Sequence, residues 1–230
     1  MKALSEYPYL CGSLVLLLVF TVTFIRVKRF RRVMVLGGLA SALYSLAAVF
    51  FVPEYWQPVL VIKIPVGLED MLFSFANGGI VLFISLWSVR DTIQVRYSLG
   101  MLTGKFLFCT LLSAVLCYVL RMAGMPVMTC CLFAMLVLGM VLLAKNRCYW
   151  PFAIRGALGF TMLYVLVTGM LSLKFPLFHN QWTMKNLWGY RFLSFPVEEY
   201  LWAFGFGAVF PLIMAFSLGI TFTIRNDARQ

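Results

Sequence analysis

Two pairs of adjacent carboxylates stand where the chain otherwise turns strongly apolar. Glu69-Asp70 and Glu198-Glu199 each open a long hydrophobic run. A carboxylate near hydrocarbon loses its hydration and therefore needs a partner, a proton or a chemical role. Helix capping offers a structural reason for such acids, because the first turn of a helix favours negative charge. Neighbouring helical residues diverge by about 100°, so we expect one acid of each pair to face the other helices.

An aromatic residue follows each acid pair at helical spacing. Phe73 lies three residues after Asp70, and Trp202 lies three residues after Glu199. Residues three or four apart lie on the same helix face. A desolvated carboxylic acid can hold a proton, a second carboxylate can stay ionised, and a ring face attracts a carbocation. The arrangement fits acid-initiated chemistry on an alkene, while packing against lipid or core is the alternative reason for the rings.

Further residues on the same two segments suggest a binding groove. Asn77 is a polar amide at membrane depth that needs a partner, either a neighbouring helix or a ligand. Together with Phe206, Phe73 and Trp202 it forms the set of candidate substrate-binding residues. Glycines either allow close helix contact or open a groove for a long flat chain, and they occur on both segments: Gly78, Gly79, Gly205 and Gly207.

The composition is that of an integral membrane protein. Of 230 residues, 63% are hydrophobic and 12% are charged, and the mean hydropathy is +0.94. A membrane-spanning helix needs about 20 mostly apolar residues. The chain is therefore predicted to be a single all-α membrane domain over residues 1–230, with seven transmembrane helices: Pro8 to Ile25, Val33 to Val52, Leu68 to Val89, Leu99 to Leu120, Pro126 to Ala144, Phe152 to Leu173, and Pro196 to about Ile224.

The basic residues predict the orientation of the chain. The net charge is +11, but Lys and Arg punctuate the apolar runs instead of forming a basic face, which argues against nucleic acid as a partner. The segment 26–32 carries five positive charges directly after the first span, as expected for an uncleaved span with a cytoplasmic end. Arg90 and Arg96 mark a second cytoplasmic turn. Lys and Arg divide 13 inside to six outside, which places the N-terminus outside and the C-terminus in the cytoplasm.

The two acid pairs also define an internal repeat. The implied units are two parallel three-helix repeats, at about 8–89 and about 126–224, joined by a connector helix at about 99–120. Internal repeats in membrane proteins commonly meet at a central site. Aligning the two acid pairs matches four further positions: Leu72 with Leu201, Phe73 with Trp202, Phe75 with Phe204, and Gly78 with Gly207.

The sequence favours neither a metal nor an organic cofactor. His179 is the only histidine and is interpreted as a polar loop residue. A dinucleotide-binding glycine motif is absent. The cysteines lack metal-ligand spacing and are interpreted as small packing residues: Cys11, Cys109, Cys117, Cys130, Cys131 and Cys148.

The second acid pair carries a resemblance to a known family. The segment 196–202 reads Pro-Val-Glu-Glu-Tyr-Leu-Trp, and 206–209 continues with Phe-Gly-Ala-Val. With the repeat, these segments resemble the lycopene cyclase domain of heterodimeric bacterial, fused archaeal and fungal carotenoid cyclases. The resemblance covers nearly the whole chain. The first half departs from the pattern, because Pro65 lies two residues further from its acids than Pro196 does.

The resemblance implies a cofactor-independent isomerisation in a prokaryotic cytoplasmic membrane. An acid protonates the terminal double bond of a linear ψ end, the cation closes to a six-membered ring, and a base removes a proton. The expected partners are membrane lipids and a long polyene or isoprenoid substrate, and self-association of the chain stays open. In this reading Phe73 and Trp202 flank the cation, and four carboxyls supply acid and base: Glu69, Asp70, Glu198 and Glu199.

Two other functions remain compatible with the sequence. A carotenoid- or lipid-binding membrane protein, or a small transporter, would keep the fold without turnover. A prenyl-lipid enzyme would hold Mg²⁺ against a diphosphate, but that chemistry normally uses carboxylates one helical turn apart, and this chain has adjacent pairs. A retinal protein would need a lysine in the seventh span, which contains none.

Overall fold

A computed structural model describes residues 6–62, 64, 66–87, 93–95 and 98–222, with the backbone alone at 93–95 and 222. Three features of the sequence analysis lie outside these residues. They are Pro65, the arginines of the proposed second cytoplasmic turn, Arg90 and Arg96, and the basic tail from residue 225 onward.

Seven helical segments are long and apolar enough to cross a membrane, which confirms the expected class of a helical membrane protein. We call them the first to seventh spans in chain order: Pro8–Arg26, Lys28–Phe51, Leu68–Leu86, Leu99–Met122, Val127–Lys145, Arg147–Lys174 and Val197–Ser217.

The second and sixth spans are not uniform α-helices. The second opens with a 3₁₀ turn, Lys28–Phe30, and continues through an α-helix, Arg31–Ala42, a 3₁₀ segment, Leu43–Ala47, and a short α-helix, Ala48–Phe51. The sixth has a 3₁₀ turn, Arg147–Tyr149, before its α-helix, Trp150–Lys174. Proline in the first turn of that helix fits its start, because a proline has no N–H to leave unpaired there.

The seventh helix ends at Ser217, not at about Ile224 as the hydropathy predicts. Gly219 adopts a positive φ of 58°, a conformation in which glycine commonly terminates helices. The next residues form a strand, Ile220–Phe222, which pairs antiparallel with Ile93–Val95. Hydropathy alone extends the predicted span over these residues, because Ile220 and Phe222 are as apolar as the residues of a helix.

A second short ladder lies just before the seventh span. Arg191–Phe192 pairs with Phe195–Pro196, and the connecting residues Leu193 and Ser194 have positive φ values of 47° and 72°. In order along the chain, the four strands are β1, Ile93–Val95; β2, Arg191–Phe192; β3, Phe195–Pro196; and β4, Ile220–Phe222. Two small antiparallel ladders thus accompany the helices of the all-α fold in the described part of the chain.

The third and seventh spans form the centre of the bundle. In each, 56% of the most apolar window is buried, compared with 11% in the fourth span. The first and second spans pack on the third, the fifth and sixth pack on the seventh, and the third also packs against the sixth and seventh. The fourth span packs on the fifth and seventh from the periphery.

Glycines permit two close helix contacts at the centre. A Cβ atom on Gly78 would lie 2.5 Å from the carbonyl oxygen of Gly37, and a Cβ on Gly207 would lie 2.5 Å from that of Gly156. Both distances are too short for a side chain. In both halves of the chain a central span therefore meets its neighbour backbone to backbone.

We expect Gly207→Ala to destabilise the protein by about 1–3 kcal/mol, because the added methyl group must push two helix backbones apart. The matched control is Gly104→Ala. Nothing lies within 4 Å of a Cβ at that position, so this variant should be neutral or slightly stabilised by the higher helix propensity of alanine. Thermal unfolding in detergent measures both, and equal midpoints for the two variants would contradict the described packing.

Candidate functional site

Two connecting loops meet over the helix ends that carry the acids. The loop after the second span and the loop after the sixth span exchange backbone hydrogen bonds, from Gln57 N–H to the Gln181 carbonyl at 2.6 Å and from Thr183 N–H to the Tyr55 carbonyl at 2.8 Å. The third and seventh spans begin directly after these loops, so both acid pairs lie at the same end of the bundle. We call this the acid end.

The first acid of each pair holds the loop that precedes it. Glu69 accepts a hydrogen bond from the backbone N–H of Val61 at 2.8 Å. Glu198 accepts one from the backbone N–H of Trp188 at 2.5 Å. Both side chains are buried. These two carboxyls therefore restrain the two loops in the same way.

The second acid of the first pair, Asp70, binds the first span. Its Oδ1 accepts a hydrogen bond from the Tyr9 hydroxyl at 2.9 Å, and its Oδ2 accepts one from the backbone N–H of Gly67 at 2.8 Å. The second contact caps the third span, as the helix-start argument predicts. The first contact is a long-range link that positions the carboxyl inside the bundle.

The second acid of the other pair, Glu199, accepts three side-chain hydrogen bonds. The Tyr55 hydroxyl donates to Oε1 at 2.6 Å, the Tyr164 hydroxyl donates to Oε2 at 2.8 Å, and the indole N–H of Trp182 also donates to Oε1. These donors come from the loop after the second span, the sixth span and the loop after the sixth span. Three distant parts of the chain therefore converge on one carboxyl.

Tyr55 lies outside the spans and remains a proton donor in this network. Burial, followed by the negative charge of Glu199, raises the pKa of Tyr55 well above its ordinary value. The phenol therefore keeps its proton at neutral pH. The Tyr55 side chain is buried, with only 5% of it exposed.

A cavity of about 790 Å³ begins at these carboxyls and runs into the bundle. Asp70 and Glu199 line it, whereas Glu69 and Glu198 are not among its lining residues. One acid of each pair therefore faces the interior and the other serves the loop. This volume lies within the range of about 300–1,000 Å³ typical of small-molecule sites.

Aromatic rings form the walls next to the two carboxyls. Phe73 and Trp202 stack across the third and seventh spans with centroids 6.1 Å apart and planes at 22°. The Tyr9 ring lies 5.6 Å from Phe73, and the Tyr164 ring lies 5.6 Å from Trp202. Trp202 also stacks on Phe206 at 5.4 Å. The tyrosines that bind the acids are thus part of the same aromatic wall.

Side chains on the outside of the bundle also line the cavity. Phe50 and Tyr118 are lining residues, yet 69% and 65% of these side chains are exposed. The cavity therefore opens sideways, between the end of the second span and the fourth span. Arg121 lies beside this opening and forms an ion pair with Glu54 at 2.7 Å, which links the end of the fourth span to the loop after the second.

Asn77 lies on the cavity wall one helical turn beyond Phe73. It is 1% exposed, and neither polar atom of its amide has a hydrogen-bond partner. The predicted need for a partner at this depth is not met by another helix in the described part of the chain.

The structure brings the predicted site residues together around one space. Six of them line the cavity: Phe73, Asn77, Trp202, Phe206, Asp70 and Glu199. No signal in the sequence marks four further residues of the site, because no spacing rule links an isolated phenol or indole to a distant acid: Tyr9, Tyr55, Tyr164 and Trp182. His179 lies in a short 3₁₀ helix, Phe178–Gln181, within the loop after the sixth span. Across the described residues, no group of three or more His, Cys, Asp or Glu side chains is arranged to hold a metal ion.

Comparisons of the chain with protein families, with curated proteins and with solved structures find no match. The resemblance to lycopene cyclase domains therefore stays a prediction from the quoted motifs.

We expect Glu198→Ala to loosen the loop after the sixth span, because the substitution removes the acceptor for the Trp188 N–H. Trypsin should then cut faster at Lys185 and Arg191, which are exposed within this loop. Glu198→Gln is the matched control, since its amide oxygen still accepts the hydrogen bond. Limited proteolysis in detergent measures the two rates, and equal rates for Ala and Gln would show that this contact does not restrain the loop.

Proposed function

We propose that the protein is a lycopene-type carotenoid cyclase that isomerises a linear ψ end group to a cyclic end group without a cofactor. The observation that supports this best is the pair of carboxyls, Asp70 and Glu199, beside the aromatic wall of one mostly apolar cavity. Of the four candidate carboxyls, these two are proposed for the chemistry. Glu69 and Glu198 hold the loops above them.

The proposed reaction needs an acid, a base and a dry space for a cation. Protonation of the terminal double bond produces a tertiary carbocation, which a neighbouring double bond attacks to close the ring. Loss of a proton from the ring gives the product, so the reaction is an isomerisation and needs no external oxidant. The faces of Phe73 and Trp202 would stabilise the cation. The apolar walls would exclude the water that could capture it.

The proposed halves of the chain would give the two carboxyls their matched positions. In each half a central span packs on two neighbours, meets one of them at a glycine contact, and begins with an acid that holds a loop and an acid that faces the cavity. These correspondences support two parallel three-helix repeats with the fourth span as connector. A shared site between repeats then follows.

The sideways opening suits a substrate that is dissolved in the bilayer. A long polyene would pass between the second and fourth spans and reach the carboxyls with its end group first. We propose a prokaryotic cytoplasmic membrane as the location, with the N-terminus and the acid end outside. The basic segment 26–32 then lies on the cytoplasmic side, in agreement with the positive-inside rule.

A non-enzymatic carotenoid- or lipid-binding protein is the second candidate. Its support is the hydrogen bonding of Asp70 and Glu199, because all four of their oxygens already accept hydrogen bonds from the protein. A purely structural network would have the same contacts. In this case the cavity would hold a polyene that leaves unchanged.

Expression in a lycopene-accumulating host separates the two candidates. The cyclase should convert lycopene to γ- or β-carotene, or to another cyclic carotene. Asp70→Asn and Glu199→Gln should each lower conversion by about 10²–10⁴-fold, the usual contribution of a general acid or base. Glu69→Gln is the control, since it keeps an acceptor for Val61 outside the cavity. Pigment chromatography gives the readout, and lycopene left unchanged by the wild type but co-purifying with it would favour the binding protein.

A bulky residue at the sideways opening should slow substrate access. Ala114 lines the cavity and is exposed on the fourth span, so Ala114→Trp places a large ring in the opening. We expect lycopene to load several-fold more slowly from liposomes into the purified protein. The change in the polyene absorption spectrum measures the loading rate. Ala144→Trp, on the exposed side of the fifth span and away from the cavity, is the control. Equal loading by both variants would argue for another route.

A further inference from the structure

The hydrogen bonds around the two cavity carboxyls are unequal. Glu199 accepts from three side-chain donors, Tyr55, Tyr164 and Trp182. Asp70 accepts from one side-chain donor, Tyr9, and from the capping N–H of Gly67. A carboxylate offers about four acceptor positions, so Glu199 has about one left for a ligand and Asp70 has about two.

The number of donors at each carboxyl affects which of the two holds a proton more readily. Donors directed at a carboxylate stabilise its charged form, and hydrogen bonds to an ionised group are about twice as strong as neutral ones. Two acids in one apolar space do not both ionise easily, and their environments separate them into an acid and a base. Both carboxyls line the same cavity, and the rings of their tyrosine donors, Tyr9 and Tyr164, both lie next to Phe73.

We infer that the two carboxyls have separate and fixed roles, in which Asp70 delivers the proton to the substrate and Glu199 is the ionised base that faces the cation. This inference rests on the proposed cyclase function and adds the direction of proton flow. It also assigns positioning roles to Tyr9 and Tyr164, which the sequence analysis does not include.

The step is balanced without any further reagent. The O–H bond of Asp70 breaks as a C–H bond forms at the end of the polyene, and the electron pair of a neighbouring double bond then forms the ring. A ring C–H bond breaks next to the cation, its electrons form the new double bond, and its proton passes to the free acceptor position of Glu199. Exchange with water after product release moves the proton from Glu199 and restores it to Asp70.

Each carboxyl is positioned by a tyrosine that also belongs to the aromatic wall. Tyr9 donates to Asp70 and its ring contacts Phe73. Tyr164 donates to Glu199 and its ring lies 6.4 Å from Phe73. Replacing either tyrosine by phenylalanine removes the hydroxyl while keeping the ring. The two substitutions are therefore matched tests of how each carboxyl is held.

The position of the ring double bond distinguishes the acid from the base, because the base selects which C–H bond breaks. The experiment uses full-length protein in lycopene-loaded liposomes in D₂O, with product isomers and deuterium measured by chromatography and mass spectrometry. The wild type should introduce one deuterium per ring. Asp70→Asn and Tyr9→Phe should lower turnover and leave the double-bond position unchanged. Glu199→Gln and Tyr164→Phe should lower turnover and also yield a second double-bond isomer or a ring alcohol from capture by water.

The milder tyrosine variants keep the test decisive if both carboxyl variants lose all turnover. A second isomer from Asp70→Asn or Tyr9→Phe, with an unchanged isomer from the Glu199 and Tyr164 variants, would reverse the assignment. An unchanged isomer in every active variant would overturn it. If the wild type forms no cyclic product, the proposed function itself fails, which is a separate outcome from an active enzyme whose isomers do not divide in this way.

Discussion

The burial of Glu199 is the constraint on which the organisation of the acid end depends. An ionisable group removed from water costs several kcal/mol unless hydrogen bonds replace its hydration. Here the replacement comes from two phenols and an indole, each contributed by a different part of the chain. Meeting this requirement fixes the sixth span against the seventh and holds both loops over the helix ends. The position of the loops thus depends on the solvation of Glu199 as well as on the contacts that Glu69 and Glu198 make with them.

The same requirement explains why the acids occur in adjacent pairs. A helix start offers free N–H groups and a favourable dipole, but a connecting loop also has N–H groups that need acceptors. Two neighbouring carboxyls point in different directions, so one satisfies a loop and the other is free to face the interior. Glu69 and Asp70 divide in this way, and so do Glu198 and Glu199. A single acid could not fill both positions.

The sequence predicts the scaffold well and the surroundings of the acids poorly. Apolar runs of sufficient length identify all seven spans, and the helical spacing of Phe73 and Trp202 correctly places them beside their acids. Both signals are local. The two tyrosines that bind Glu199 are distant in sequence, Tyr164 by 35 residues and Tyr55 by 144. Nothing in the sequence around them distinguishes them from ordinary interfacial aromatic residues. The end of the seventh helix is missed for a related reason, because the strand that pairs with Ile220–Phe222 is distant in sequence.

Because the two loops are hydrogen-bonded to each other, one half of the chain cannot be replaced without affecting the loop of the other half. Tyr55 and Trp182 belong to different halves, yet Thr183 donates to the Tyr55 carbonyl and both side chains share Oε1 of Glu199. A chimaera that took one half from a distant homologue would combine two loops that do not match each other. The Glu199 carboxyl would then lose a hydrogen-bond donor even if every helix were intact. Substitutions at 55 and 182 are therefore expected to covary, and a functional graft has to transfer both loops as one unit.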